Sequence, residues 1–356
     1  MTTVYAYTGK EDDPRFVGQA YVNRRKGRLA TTFAYDQGYL AERSSYPLDP
    51  ELPLQAGNWP VAHELPGSLM DSTPDRWGRN LINRRYPGRR LDNLDYLLNT
   101  SDLTRQGALR LKAEQGGAFQ YPDTSVPKLV ALPELLDATR AIDSPRNNDE
   151  AIRYLLEAGS GSLGGARPKA VVDKGGHLFL AKFPHRSDAA DVIAAEHRAL
   201  VEAGRRQMDV PDCELVSVGG SNVLLIRRFD RRYPKGGGER VPYVRVPYIS
   251  AMTALGAVDG EQRDYLDIID FIARHGSRPK EDVAELLRRI RYTIEINNTD
   301  DHLRNHGFLY EKGGWRLSPL FDVNPDPNQN APRQTSFAGH LDAEHSLQAL
   351  DEFAAS

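Results

Sequence analysis

The order of elements around one glycine-rich stretch restricts the fold of this chain more than any other feature of its sequence. Residues 159–169 read GSGSLGGARPK, which places Gly159, Gly161 and Gly164 in a GxGxxG spacing. The spacing alone is a weak signal, because glycine loops of several architectures share it. A dinucleotide-binding loop needs a strand before it and a helix after it. Here the order is reversed. Asp149 to Ala158 reads as a short helix, and the glycine stretch runs into strand-type text. Ala170-Val171-Val172 and Leu178 to Phe183 flank a turn containing Gly175-Gly176, the pattern of a β-hairpin. A phosphate loop ending in Gly-Lys-Ser/Thr is excluded too, since no such tripeptide follows at the required distance.

A glycine stretch that opens a β-hairpin is the arrangement of protein kinases, in which backbone N–H groups cover the phosphates of ATP. Lys182 ends the second strand, where a kinase places the lysine that contacts the phosphates and pairs with a glutamate of the next helix. Asp188 to Gly204 reads as that helix and offers Glu196. Singly, these features also fit a flexible turn, an exposed strand-end lysine and a solvated helix charge. Their order is harder to obtain by chance. A second hairpin follows, Cys213 to Val218 and Val223 to Phe229, and then a basic, glycine-rich loop.

The clearest helix is expected over Glu281 to Asn297, because Val283, Leu286, Leu287, Ile290 and Ile294 form one apolar stripe. It runs into NNTDDHLRNHGFL. Asp300 and Asn305 have the D-x-x-x-x-N spacing of a kinase catalytic loop, whose Asp accepts the proton of the attacking hydroxyl and whose Asn holds Mg²⁺. Seventeen residues beyond Asn305, past an expected hairpin, Asp322 stands where a second metal-binding acid belongs. Carboxylate and amide oxygens suit a hard cation of this kind. A capped helix end would also use Asn and Asp, but it does not account for Asp322. His302 is expected to hydrogen-bond the loop into shape. His302 and His306 are four apart, as zinc ligands on a helix can be, but the glutamate of HExxH is missing.

The first 120 residues read mostly as short strands (Ala20 to Val22, Leu29 to Tyr35, Leu109 to Leu111) with helices at Thr73 to Asn83 and Leu91 to Asn99. Thr73-Pro74 reads as the cap and first-turn proline of the former. Across 356 residues, 46 Lys and Arg face 49 Asp and Glu, so no global positive field draws the chain to nucleic acid. Three local clusters, Arg24-Arg25-Lys26, Arg231-Arg232 and Arg288-Arg289, could still meet phosphates. One cysteine, Cys213, excludes an intrachain disulfide. The N-terminus does not read as a secretory signal, and no apolar run is long enough to span a membrane.

Taken in order and approximate spacing, SLGGARPK, LAKFP, RRFDRR, TDDHLRN and SPLFDV resemble the HipA family of serine/threonine kinases, the toxin halves of bacterial toxin–antitoxin pairs. Upstream, YPLDPELPL, LPGSLMDSTPDRWGRNLI and RQGALRL resemble the N-terminal domain of that family, so the resemblance covers most of the chain. It implies an α+β fold: a mostly β N-terminal domain over residues 1–145, a small kinase lobe over 146–232, and a short helical lobe over 233–356. ATP and Mg²⁺ are the implied cofactors. Gly159, Gly161, Ser162 and Gly164 would lie by the nucleotide, Lys182 on its phosphates, and a hinge at Arg227, Arg228 and Phe229 on adenine. Asp300 would be the catalytic base, with Asn305 and Asp322 on Mg²⁺.

Ser162 matches the serine that family members autophosphorylate. A dianionic phosphoserine there would repel the nucleotide phosphates and eject the loop. The implied partners are a HipB-like helix-turn-helix antitoxin, through which DNA is mainly met, and a protein substrate such as an aminoacyl-tRNA synthetase. No membrane is implied, and the location is the cytoplasm. Two departures stand out: Arg227 replaces an acid found in some relatives, and only 34 residues follow Asp322, where relatives continue through further helices. Two other activities fit the same residues: an antitoxin-binding co-repressor with weak catalysis, and a small-molecule or lipid phosphotransferase.

Overall fold

The N-terminal residues fold into an antiparallel sheet of five strands: β1 (Thr2–Gly9), β2 (Pro14–Arg25), β3 (Arg28–Tyr35), β4 (Trp59–Pro60) and β5 (Arg110–Lys112), in the order β4-β3-β2-β1-β5. The computed structural model describes residues 1–10, 13–120, 125–142, 148–160, 167–188, 190–233, 243–328 and 331–355. Gly161, Ser162 and Gly164 lie outside the described residues. The three expected strands fall within or overlap β2, β3 and β5. β1 has no counterpart in the sequence reading, although its central residues Val4 and Ala6 are buried.

The helix Arg76–Arg85 starts later than Thr73-Pro74 suggests, with Asp75 at its N-cap. The Thr73 hydroxyl instead donates to the carbonyl of Met70 at 2.7 Å and closes the preceding turn. The helix Asn93–Leu98 opens on a capping box, in which Asp92 and Asp95 each accept the other's backbone N–H.

A second sheet contains β6 (Lys169–Lys174), β7 (His177–Lys182), β8 (Cys213–Val218) and β9 (Ser221–Arg227), ordered β6-β7-β9-β8. The expected hairpin is present, and both residues of its turn, Gly175 and Gly176, have positive φ (59° and 80°). That is the backbone a tight hairpin requires and glycine accepts readily. The helices Arg76–Arg85, Leu132–Ile142 and Asp149–Glu157 share one core with this sheet: Leu81, Leu135, Leu155, Val172, Ala181 and Leu225 are all fully buried in it. Each buried leucine contributes roughly 1.5–3 kcal/mol relative to an exposed one.

The chain forms two compact units, the first Met1–Ser187 with Val216–Tyr248 and the second Asp188–Leu215 with Ile249–Ser356. The first also holds the short pair β10 (Arg231–Arg232) and β11 (Val244–Arg245), which sets Arg231 opposite Arg245. In the second, the helix Pro279–Glu295 buries Leu286, Ile290 and Ile294, with Val283 and Leu287 packed at the margin of the same core. Pro279 stands in its first turn, where a missing N–H costs nothing. β12 (Tyr248–Ser250), β13 (Gly307–Glu311) and β14 (Gly314–Leu317) form a three-stranded sheet, and β13–β14 is the hairpin expected between Asn305 and Asp322. Among the described residues, no helix is long and apolar enough to cross a membrane.

Candidate active site

The helix Pro279–Glu295 delivers the chain into a loop that is stitched to the segment after β14. Asn297 donates from its side chain to the carbonyls of Asp326 (2.7 Å) and Asn328 (3.1 Å). The Thr299 hydroxyl donates to Asp326 Oδ2 at 2.7 Å. These residues do what Asn and Thr at a helix end usually do. The two acids that follow differ. Asp301 is buried: it accepts a hydrogen bond from the Tyr265 hydroxyl, and its Oδ1 lies 3.1 Å from His306 Nε2. Its backbone carbonyl also accepts the Thr335 hydroxyl at 2.7 Å. Burial works to raise this carboxyl, but His306, the Tyr265 hydroxyl and Arg333 outweigh it and hold it below the usual carboxylate range.

Asp300, one residue earlier, is exposed. Partial desolvation raises its carboxyl; His302 opposes the rise, and the nearby charges of Asp322, Asp301 and Asp326 add to it. The Asn305 amide donates to the carbonyl of Asp300 at 2.9 Å and so closes the loop across the predicted spacing. That bond uses the amide nitrogen, and the Oδ1 of this buried side chain is a donor atom of the kind a hard cation takes. Asp322 is half-buried with φ of +56°, a left-handed backbone uncommon for a residue with a side chain. Its neighbours Leu320 and Val323 are buried and fix it in place. The Asn324 amide donates to Asp322 Oδ1 at 3.2 Å.

Asp300, Asn305 and Asp322 are therefore brought together in the second unit. Their oxygens, and the mutual repulsion that Asp322 exerts on Asp300, fit a divalent cation. His306 Nε2 lies 3.1 Å from Asp301 Oδ1, and neither that atom nor the Nδ1 of His302 makes a hydrogen bond among the described residues. The ring contact of His306 with Tyr265, forty-one residues earlier, is one of which the sequence holds no local sign.

Of the other expected residues, Lys182, Gly159 and Arg228 belong to the first unit and Glu196 to the second. Lys182 is buried at the end of β7, directly opposite Lys169, so the two side chains leave the sheet on the same face. Lys169 has its own counter-ion, Asp75, at 3.6 Å. In the second unit, Glu196 is buried on the helix Val192–Arg205. Gly159 has a positive φ of 75°, and a Cβ there would lie 2.5 Å from Thr104 Oγ1, so packing already demands this glycine.

Arg228 is buried, and its guanidinium donates to Asp230 and to the carbonyls of Thr104 and Arg105. Its side chain is a structural tie, and its backbone N–H is used by Leu178 O at 2.9 Å. In the clusters suggested for phosphate contact, Arg25, Lys26, Arg232 and Arg288 are exposed, and the other members are engaged within the protein. Arg231 and Arg289 are buried, the latter on Glu285 Oε1 (2.7 Å) and Ser318 O (2.7 Å), and Arg24 pairs with Asp92 and Asp95 at 2.6 Å each.

Comparison with known proteins decides the family. Residues 15–112 match the model of the HipA N-terminal domain and residues 161–356 that of the HipA-like C-terminal domain. The chain belongs to the HipA family. A relative from Sinorhizobium fredii named "Putative kinase Y4mE" is 26% identical over 336 residues, covering 87% of this chain and 75% of the relative. A "Putative kinase" of Haemophilus influenzae is 31% identical over 148 residues, covering 37% of this chain and 41% of its own length. The solved complex of the Shewanella oneidensis toxin–antitoxin proteins HipA and HipB with operator DNA contains a chain that superposes with a TM-score of 0.72 at 16% identity, covering 98% of this chain and 84% of that one. At that identity the likeness speaks for the fold: an α+β HipA fold with an N-terminal domain and a kinase-like part, as the sequence implies.

Proposed function

We propose that this HipA-family chain is an ATP- and Mg²⁺-dependent protein serine/threonine kinase that acts as the toxin of a toxin–antitoxin pair. The observation that carries the reading is the exposed Asp300 beside Asn305 and Asp322, in a loop otherwise held by buried residues. Asp300 is the base that takes the proton from the acceptor hydroxyl. Partial burial and the charges of the neighbouring acids raise its carboxyl, the direction that suits a general base. Asn305 and Asp322 hold Mg²⁺, which when bound neutralises charge on the transferring phosphoryl group. Lys182 and the glycine stretch hold the phosphates, and the Arg227–Phe229 strand end takes the adenine.

Ser162 is the autophosphorylated residue, the acceptor protein is a component of translation, and a HipB-like antitoxin is the partner. The family membership and the kinase names of its relatives support this reading. The test is transfer of label from γ-labelled ATP to protein with and without chelator. Mg²⁺-dependent labelling is expected. Nucleotide binding without transfer to the chain itself or to any cell-extract protein would overturn the reading.

A further inference from the structure

The loop Ser101–Gly107 precedes the glycine stretch by some fifty residues, yet it meets both ends of the segment assigned to the nucleotide. At one end Thr104 packs directly on Gly159, at the distance that admits no Cβ. At the other, the Thr104 carbonyl accepts from Arg228, and the Arg105 carbonyl accepts from Arg228 (3.1 Å) and Arg231 (2.6 Å). Asp230 closes the arrangement and is only 3% exposed. Its Oδ1 accepts Arg228 Nε at 2.8 Å, and its Oδ2 accepts the Gly107 N–H at 2.8 Å and Arg231 at 3.0 Å. Gly107 O takes a further bond from Arg231 at 3.1 Å. Burial opposes the charge on Asp230, but the two guanidiniums hold its carboxyl far below the usual range.

We propose that Asp230 is a positioning residue for the nucleotide. It locks Arg228 and Arg231 to the carbonyls of residues 104, 105 and 107, and so fixes the strand end Arg227–Phe229 and the root of the glycine stretch against one N-terminal loop. The inference rests on the reading that this segment holds ATP. The N-terminal part of the chain then frames the nucleotide site as well as serving any docking role. The same loop supplies an internal control. Asp102 is equally buried, but it pairs with Arg110 (2.7 Å) and Arg245 (3.1 Å) and has no hydrogen bond to residues 227–230. A role in stability alone would make the two acids equivalent. A positioning role separates them.

The test is titration of the full chain with the fluorescent nucleotide mant-ADP and Mg²⁺, at a temperature where circular dichroism shows each variant folded. Asp230→Asn should raise the Kd roughly tenfold, the size by which changes within a coupled network shift affinity. Asp102→Asn should lower the melting temperature and leave the Kd as in the wild type. Arg228→Lys keeps a cation beside Asp230 but cannot span two carbonyls, and should raise the Kd in the same direction. It carries the test alone if Asp230→Asn does not fold. Wild-type affinity in the folded variants, or equal weakening by Asp102→Asn, overturns the proposal. A wild-type chain that takes up no mant-ADP overturns the nucleotide reading, and the proposal with it.

Discussion

In Arg227–Arg232 the carboxylate of Asp230 is buried beneath two guanidiniums, whereas in Asn297–His306 two adjacent acids are split, Asp301 buried and Asp300 open to solvent. Both segments are dense with charge in the sequence, and both match stretches of the HipA pattern. In the first, the described side chains mostly hold the backbone. In the second, the holding is done by Asp301, His306 and Tyr265, which leaves Asp300 open to solvent. A charged motif is thus a mixture of groups that build a site and groups that work in it. Burial, which depends on distant partners such as Tyr265 and Thr104, separates the two.

The comparison can be broken most sharply at Asp301. Replacing it with Asn leaves a buried His306 and Tyr265 without their charge partner and should destabilise the second unit by about 3–5 kcal/mol, measured by chemical denaturation. A loss no greater than that of a typical surface change, about 0.5 kcal/mol, would erase the distinction between the two acids.

A smaller effect is the pH dependence. The Asp301 carboxyl is lowered in the folded state, so its stabilisation is present above the ordinary carboxylate pKa and is lost as pH falls through the folded value. Melting curves should therefore show an acid limb that Asp301→Asn flattens. An unchanged limb would place the titrating group elsewhere.

Asp300 has the opposite sign. Its carboxyl is raised, so any stability linked to its proton is present below the unfolded pKa and is lost as pH rises through the folded value. Carboxyl NMR of the metal-free chain should find Asp300 titrating above an ordinary aspartate, and Asp322→Asn should bring it down. No movement would mean that Asp322 does not act on Asp300 through its charge.

Much of this was legible in the sequence because it is local. Hairpins with Gly-Gly turns, the apolar stripe of Pro279–Glu295 and the Asp300–Asn305 spacing are written in adjacent residues. What was not legible depends on contacts far apart in the chain. Gly159 reads as one member of a phosphate-binding loop, but its need for glycine also comes from Thr104, fifty-five residues away. Arg228 reads as part of an adenine hinge and Arg231 as a cation that could meet phosphates, and the side chains of both are tied to carbonyls of residues 104–107. β1 escaped notice because polar Thr and Tyr interrupt its apolar residues, and its burial is established by β2 and β5 on either side. His306 was weighed only as a metal ligand, since nothing near it in sequence announces Tyr265.

The central claim, that the exposed acid does the chemistry while its buried neighbour holds the loop, is tested most directly by one comparison of phosphorylation. Wild type and Asp300→Asn are incubated with Mg²⁺ and γ-labelled ATP, checked for equal mant-ADP binding, and mapped for phosphopeptides. The account predicts label in the peptide containing Ser162 for the wild type, and a rate lower by about 10²–10⁴-fold for the folded, nucleotide-binding Asp300→Asn. Equal labelling of the two proteins would contradict it.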